Sequence, residues 1–587
     1  MTRSLATVLA ALTLVFMGHA AAAPSLLTEA EKSGYRRTGR YDEVLRLCGD
    51  FQAASPGQVR CLTFGKTPEG RPMVALVVSA DGAFTPEDTR AKNRSALVIQ
   101  GGIHAGEIEG KDAIFVALRE LLSGKMAPGV LGKVTVVFVP IFNIDGAERF
   151  GPGNRPNQRG PEEMGFRATA QNLNLNRDYV KAEAPEMQAM LGLLDAWDPL
   201  VYVDLHTTDG AKFQPDVSIL VAPAQPQAGL ERAAAALSAA FMKRLGDMKH
   251  LPLPFYPDFR SHDDPTTGFA TGQAPPRFSQ EYAATRNRLG VLVETHSWKT
   301  YAQRVVATHD TLQVLFEQAL VQADAWRAAA TAADQAAEKL AGTDVVLVYG
   351  AGPTARTIDF PGYAYTVKTS EVSGKSWISY DESKPEMWHL PLYDQLVPSL
   401  TVHAPRAGYL VSAAHAGWLA PLLRLHGLRY QVLPRPLAAR AVQGYHIAEV
   451  SYQPPFEGRT QTKLTGDWRA TRQSFPAGSL FIPTAQPRAL LVLHLLEPDA
   501  PDSLAAWGHW NAMFEQKEYM EDYVLEVEAR RMMAADPKLK AEFEKRLHDD
   551  PELARSPEKR LRFFYVRHPA WDDRIGWVPV FRSDDGP

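Results

Sequence analysis

The segment Gly101-Gly102-Ile103-His104-Ala105-Gly106-Glu107 sets an imidazole and a carboxylate three residues apart on a glycine-rich turn. Neutral imidazole nitrogen and carboxylate oxygen both bind a borderline cation such as zinc well, at ~2.0–2.2 Å. Alone the pair is weak, because His-x-x-Glu arises often by chance and then decorates a surface. A second histidine, His206, ends the apolar run Val201-Tyr202-Val203-Asp204-Leu205. A typical catalytic zinc site has three protein ligands and one open position, and His206 would complete the set. A third signal is Glu294, which closes Leu289-Gly290-Val291-Leu292-Val293. A carboxylate ending an almost wholly apolar strand is costly to bury unless it is paired or functional. Beside a metal-activated water it is the natural general base.

The elements that must carry these residues follow from the apolar pattern. Ser95–Gln100, Val134–Ile141, Leu200–Leu205, Val217–Ala222 and Leu289–Val293 are short, nearly continuous apolar runs, which suit strands buried on both faces of a mainly parallel sheet. Val59–Phe64 and Pro72–Ser79, joined through Pro68-Glu69-Gly70, read as a hairpin. Helical spacing marks Tyr41–Ala53, Ile108–Leu122, Leu230–Leu245 and about 302–340. Alternating strands and helices predict an α/β fold, a mixed and mainly parallel sheet flanked by helices. His104 and Glu107 then stand where a strand ends and a helix begins, the usual place for chemistry in open α/β sheets.

Past Gly342 the pattern changes. Val345–Tyr349, Ala364–Lys368, Leu400–His403, Tyr430–Leu433, Tyr445–Tyr452 and Ala489–Leu495 read as short strands between Pro- and Gly-containing turns. From Pro501 to His568 the sequence is charged and helical, with helices expected over Glu515–Met532 and Leu539–Leu547. The expected organisation is a leader over 1–22, a catalytic domain over 24–340, a β-rich accessory region over 343–500 and a helical, charged region over 501–587.

The order His-x-x-Glu, Asn-Arg, strand-end His, strand-end Glu resembles the zinc carboxypeptidases of the carboxypeptidase A type. The resemblance spans roughly residues 35–330 and extends to other motifs. Asn143-Ile144-Asp145-Gly146 is similar to the family's Asn-Pro-Asp-Gly turn, with Ile144 in place of proline. Leu175-Asn176-Arg177-Asp178 resembles the Asn-Arg pair that clamps a substrate's terminal carboxylate, and Phe166-Arg167 the upstream arginine that stabilises the oxyanion. Tyr282 matches, loosely and at a shorter spacing to Glu294 than usual, the mobile tyrosine that covers the site; Arg286 and Arg288 are rival carboxylate binders there. One position departs: where the family commonly has an aspartate orienting a zinc histidine, this chain has Asn174. An amide still accepts an imidazole N–H but raises ligand basicity less than a carboxylate, leaving Asp204 or another acid to compensate.

The resemblance implies a carboxypeptidase-like fold, one Zn2+ held by His104, Glu107 and His206, and a water activated by zinc and Glu294 together. Arg167 would stabilise the oxyanion, while Asn176, Arg177 and Tyr282 would bind a peptide substrate. The implied activity is a metallocarboxypeptidase hydrolysing C-terminal peptide bonds. The alternative is an amidase on the same scaffold, acting on cell-wall peptides or another acylated amine.

The bulk properties bound these readings. An apolar fraction of 45% and a charged fraction of 22% are those of a soluble globular protein. With 63 basic against 67 acidic residues the net charge is −4, which argues against a general nucleic-acid or anionic-membrane binder. Arg3, the apolar run Leu5–Met17 and the small residues Ala20–Ala23 before Pro24 describe a cleaved signal peptide. The alternative, an uncleaved membrane anchor, is disfavoured because the run is shorter than the ~20 residues a spanning helix needs. The expected protein is periplasmic or secreted, with no transmembrane segment in the mature chain. The only two cysteines, Cys48 and Cys61, either close a small disulfide in an oxidising compartment or stand as two buried thiols.

Overall fold

A computed structural model describes residues 26–222, 228–262 and 264–587. The expected signal peptide over 1–22 lies outside the described residues. The N-terminal part is built on one eight-stranded sheet. Its strands are β1 (Val59–Lys66), β2 (Pro72–Val78), β3 (Ser95–Gly101), β4 (Val134–Val139), β5 (Val201–Thr207), β6 (Val217–Ala222), β7 (Pro252–Leu253) and β9 (Leu289–Thr295). The short strand β8 (Phe269–Ala270) belongs elsewhere. The order across the sheet is β1-β2-β4-β3-β5-β9-β6-β7.

The four central strands, β4, β3, β5 and β9, run parallel, and β1, β2 and β6 pair antiparallel at the flanks. Apolar continuity explains the centre: every residue of β4, β5 and β9 is buried, and only Ser95 of β3 is partly open. Helices Glu109–Ser123, Ala228–Asp247 and Tyr301–Ala337 pack on one another and against the sheet. Helix Tyr41–Ala54 lies beside β1 and β2, and Cys48 is bonded to Cys61 of β1, so the two cysteines form a disulfide. Among the described residues no helix is long and apolar enough to cross a membrane.

The β-rich region is made of long ribbons. Strands β10 (Asp344–Ala351) and β13 (Leu396–His403) pair with each other, and β11 (Arg356–Thr369) with β12 (Ser376–Tyr393). Strand β8, from the N-terminal part, joins the edge of β12 in parallel. Strands β14 (Gly408–Val411), β15 (Gln431–Val432), β16 (Leu437–Phe456), β17 (Arg459–Phe475), β18 (Leu480–Pro483) and β19 (Trp577–Ser583) form a six-stranded sheet. The four helices Asp522–Ala535, Pro537–Asp549, Pro551–Arg555 and Pro557–Tyr565 follow in succession. Three of them begin with proline behind an Asp536, Asp550 or Ser556 cap, whose side chain accepts from the first-turn N–H groups.

Two expectations need correction. Ala489–Leu496 is a helix, not a strand. All eight residues are buried, so no polar face exposes the period, and their Leu and Ala content favours the helix. The strands expected as short runs at 364–368 and 445–452 are the last third of β11 and the middle of β16, which extend well into polar sequence. In addition, β19 returns the end of the chain into the six-stranded sheet after the helices.

Candidate metal centre and active site

His104 and Glu107 sit on the turn between β3 and helix Glu109–Ser123, closed by the Glu107 N–H donating to the His104 carbonyl at 2.9 Å. Gly102 has φ +62°, a left-handed backbone open to glycine at little cost. Gly106 is needed for another reason: a Cβ there would lie 2.5 Å from the Arg155 side chain and 2.7 Å from the Gly165 carbonyl. His206 and Glu294 occupy the ends of adjacent parallel strands and are direct register partners.

Glu107 lies between the two histidines. Its Oε1 is 2.9 Å from His104 Nδ1 and its Oε2 is 2.9 Å from His206 Nδ1. One ligand atom from each of the three side chains falls within 4.8 Å of the others, and all three residues are buried. The far nitrogens face polar partners: His104 Nε2 donates to Asn174 Oδ1 at 3.0 Å, and His206 Nε2 lies 2.8 Å from Asp204 Oδ2, an ion-pair distance without hydrogen-bond alignment. Each imidazole is therefore oriented with Nδ1 inward. Two nitrogens and one carboxylate with oriented rings fit a divalent zinc-like cation.

Electrostatics follow from burial. Burial holds the His104 imidazole down at about 4, against the pull of Glu107. Burial would also lower His206, but Asp204, Glu107 and Glu294 outweigh it and raise the imidazole well above its usual range. Burial would raise Glu107, yet Arg155 and the two histidines hold it well below the carboxylate range. Burial pushes the Glu294 carboxyl up to about 8, opposed by His206 and reinforced by Glu107. Its Oε2 has no hydrogen-bond partner.

A cavity of about 800 Å³ opens over this cluster and is lined by His104, Glu107, His206, Glu294, Arg167, Asn176 and Arg177 together. Arg167 is positioned by the Asn143 turn: Asn143 Nδ2 donates to the Arg167 carbonyl at 2.9 Å while Asn143 Oδ1 caps Gly146 N–H at 3.0 Å. Its guanidinium reaches 3.5 Å from Glu107 Oε1. Asn176 and Arg177 lie on a 3-10 turn, Leu175–Arg177, capped by Asn174. The Arg177 guanidinium stacks 4.5 Å over the Phe278 ring. Burial lowers its pKa, and the neighbouring Arg167 and Arg277 lower it further. Glu457 and Asp502 oppose that shift, and Arg277 is itself paired with Asp502 at 2.7 Å.

Tyr282 does not reach the cavity. Helix Ser279–Thr285 is buried along its whole length, and the Tyr282 hydroxyl lies 2.9 Å from His426 Nδ1 in the core. The expected covering role therefore fails on position: the match to the covering tyrosine is loose in its spacing to Glu294, and a buried helix the sequence did not announce turns this phenol into the core. Arg286 and Arg288 are likewise committed, Arg286 to the Leu194 carbonyl and Arg288 to Asp198 and Asp334. His296 stacks on Phe213 at 3.8 Å, away from the three-residue cluster.

Several cavity residues carried no sequence signal. Tyr256 lines the wall, its hydroxyl 3.3 Å from Asp209, and burial together with Glu294 raises its pKa. Glu281 lines it too, with Gln273 Nε2 donating at 3.0 Å, and burial pushes its carboxyl up to about 7. Arg155, which is not part of the cavity lining, pairs with Glu107 at 3.0 Å from a loop without periodicity. Arg356, Asp394 and Leu396 bring the β-rich region to the rim.

Comparison with known proteins places this geometry. Residues 44–246 match the family model described as zinc carboxypeptidase. Carboxypeptidase 2 of Trichophyton rubrum is 26% identical over 159 residues, covering 27% of this chain and only 26% of that protein's length. Among solved structures, a metallo-carboxypeptidase from Pseudomonas aeruginosa is similar at 17% identity and a TM-score of 0.34, over 48% of this chain and 69% of that one. Carboxypeptidase A from Helicoverpa armigera is similar at 14% identity and a TM-score of 0.34, over 50% and 74%. These structural likenesses are loose, and nothing about the site rests on them. The segment that carries His104, Glu107, Arg167, Asn176, Arg177 and His206 thus matches the zinc carboxypeptidase family, the family its ordered motifs resemble.

Proposed function

We propose that this chain is an exported zinc metallopeptidase that removes residues from peptide C-termini. The observation that carries the reading is the convergence of the His104, Glu107 and His206 ligand atoms within 4.8 Å, on the wall of a cavity that also presents Glu294, Arg167, Asn176 and Arg177. Zinc held by those three residues would supply a Lewis acid for the scissile carbonyl and acidify water. The family match supports that metal. Export rests on the leader-like sequence of residues 1–22.

The chain's own residues divide the remaining work. Glu294, at a strand end in register with His206, takes a proton from the attacking water and passes it to the departing amine. Arg167, at the cavity wall beside Glu107, meets the oxygen that becomes negative as the carbonyl turns tetrahedral. Arg177 and Asn176 grip the substrate's terminal carboxylate, the guanidinium fork matching it in shape and charge. The Phe278 ring lies under the Arg177 guanidinium, whose Nη1 also donates to the Asn176 carbonyl at 2.7 Å.

The deciding experiment is mass spectrometry of products from a peptide mixture, with and without C-terminal amidation. Stepwise loss of C-terminal residues from free-acid peptides alone is expected. Equal cleavage of the amides would reject the carboxypeptidase reading in favour of the amidase.

A further inference from the structure

The β16/β17 ribbon turns at Glu457 and Gly458, between the paired Phe456 and Arg459. Both turn residues have left-handed backbone, φ +50° and +75°. Such a two-residue turn favours Asn-Gly or Asp-Gly, whose first residue tolerates that conformation. Glutamate there is strained, and strained backbone persists where the surroundings use it.

The Glu457 side chain crosses to the N-terminal part. Its Oε2 accepts from the Asn174 main-chain N–H at 2.8 Å, across 283 residues of sequence. Asn174 is the residue whose Oδ1 receives the His104 Nε2 proton and also the Asn176 N–H, each at 3.0 Å. On the other side of the turn Arg459 Nε donates to Glu183 at 2.6 Å. Two anchors thus flank residues 174–183, the stretch that includes Asn176 and Arg177. The ribbon from Ser451 to Phe456 is exposed, and its end is also tied to residues 505–511, where Phe456 stacks on Trp507 and Asn511 Nδ2 donates to the Thr460 carbonyl at 2.9 Å. Of the ribbon's residues, all of them described, only Glu457 and Arg459 reach residues 174–183 with a side-chain hydrogen bond.

We propose that the tip of this ribbon is a positioning element of the metal centre: Glu457 fixes the Asn174 backbone and, through the Asn174 amide, sets the His104 ring and the adjoining Asn176–Arg177 pair. The inference rests on the metal-site reading above and deepens it, because it gives the β-rich region a task at the centre. Asn174 is a weaker orienting partner than a carboxylate, so its direction matters more. A main-chain anchor from a distant ribbon supplies that direction. Glu457 is a positioning residue, since it touches neither metal nor substrate.

The test uses the full-length chain and three substitutions, with zinc retention measured by chelator competition and melting temperature measured on zinc-stripped protein. E457A should weaken zinc retention by about 10-fold, the lower end of the range for outer partners of a metal ligand, and raise KM for a free-acid peptide. E457Q keeps an oxygen acceptor at the same reach and should restore retention. E457N is the discriminating variant: asparagine relaxes the left-handed turn but is one methylene too short for Asn174. Its melting temperature should hold or rise while its zinc retention falls with that of E457A. Wild-type retention and KM in E457A and E457N would overturn the proposal, as would a failure of E457Q to restore them. Unchanged zinc in a His104→Ala, His206→Ala double variant would overturn the metal centre itself and the proposal with it, a distinct result.

Discussion

Glu294 and His206 are direct partners in the parallel pairing of β9 and β5. Partners in a ladder share a face of the sheet, so the carboxylate and the imidazole project together past the same strand ends. Their separation is set by sheet register rather than by a loop. A group placed this way costs little to hold still, which a proton-transferring residue requires.

Glu294→Gln preserves size and register and removes the proton acceptor. The variant should bind zinc as the parent does and lose kcat by at least ~100-fold. Its far oxygen already lacks a partner, so the amide breaks no existing bond there. Steady-state kinetics beside elemental analysis checks both halves. Near-normal turnover would move the base to another residue.

The metal prediction is stoichiometric. Purified wild-type protein should carry about one zinc per chain, and the His104→Ala, His206→Ala double variant close to none. Because Glu107 lies between both rings at 2.9 Å, removing either ring also strips a partner from a buried carboxylate. Each single variant should therefore melt lower than the parent when both are compared zinc-free.

Glu281 predicts a pH effect outside the metal cluster. Burial raises its carboxyl to about 7 in the folded protein against an ordinary value of 4.5. The folded state then binds the proton more tightly than the unfolded one. Stability from this group is complete below about pH 4.5 and is lost as pH rises through about 7. Glu281→Gln should match the wild type near pH 4.5 and exceed it at pH 8, by a few kcal/mol at most on the shift alone. Melting curves at the two pH values decide it; an equal gap at both would place the effect elsewhere.

The strand-end residues were legible in sequence because the runs before them are apolar enough to fix strand, direction and end at once. His104, Glu107, His206 and Glu294 meet in one cavity for that reason. Loop-borne neighbours were legible only where a motif marks them, as at Arg167, Asn176 and Arg177. Tyr282 matched only loosely in spacing, and its helix turns the phenol into the core, while Tyr256, in a loop with no period, lines the wall. Arg155 and Glu457 could not be read either, since their partners are set by chain crossings of 48 and 283 residues respectively. The helix Ala489–Leu496 failed from too much burial rather than too little.

The last prediction separates exopeptidase from amidase at Arg177. Its guanidinium sits over Phe278, where burial first and then repulsion from Arg167 and Arg277 disfavour its charge, and it has no carboxylate in ion-pair contact among the described residues. A substrate's terminal carboxylate would relieve that repulsion with two parallel, charge-assisted hydrogen bonds. Amidating the peptide removes the charge, and should cost ~2–4 kcal/mol, about 30- to 1000-fold in kcat/KM. Arg177→Ala should lose a similar amount on the free acid and little more on the amide, because both changes delete one interaction. Arg177→Lys should recover only part, since an ammonium lacks the planar fork and stacks less well on Phe278. The four kinetic constants of the cycle, wild type and Arg177→Ala against acid and amide, measure the coupling directly. Additive losses would mean that Arg177 and the terminal carboxylate do not meet, and the carboxypeptidase reading would fail there while leaving Glu294 and the three-residue metal cluster untouched.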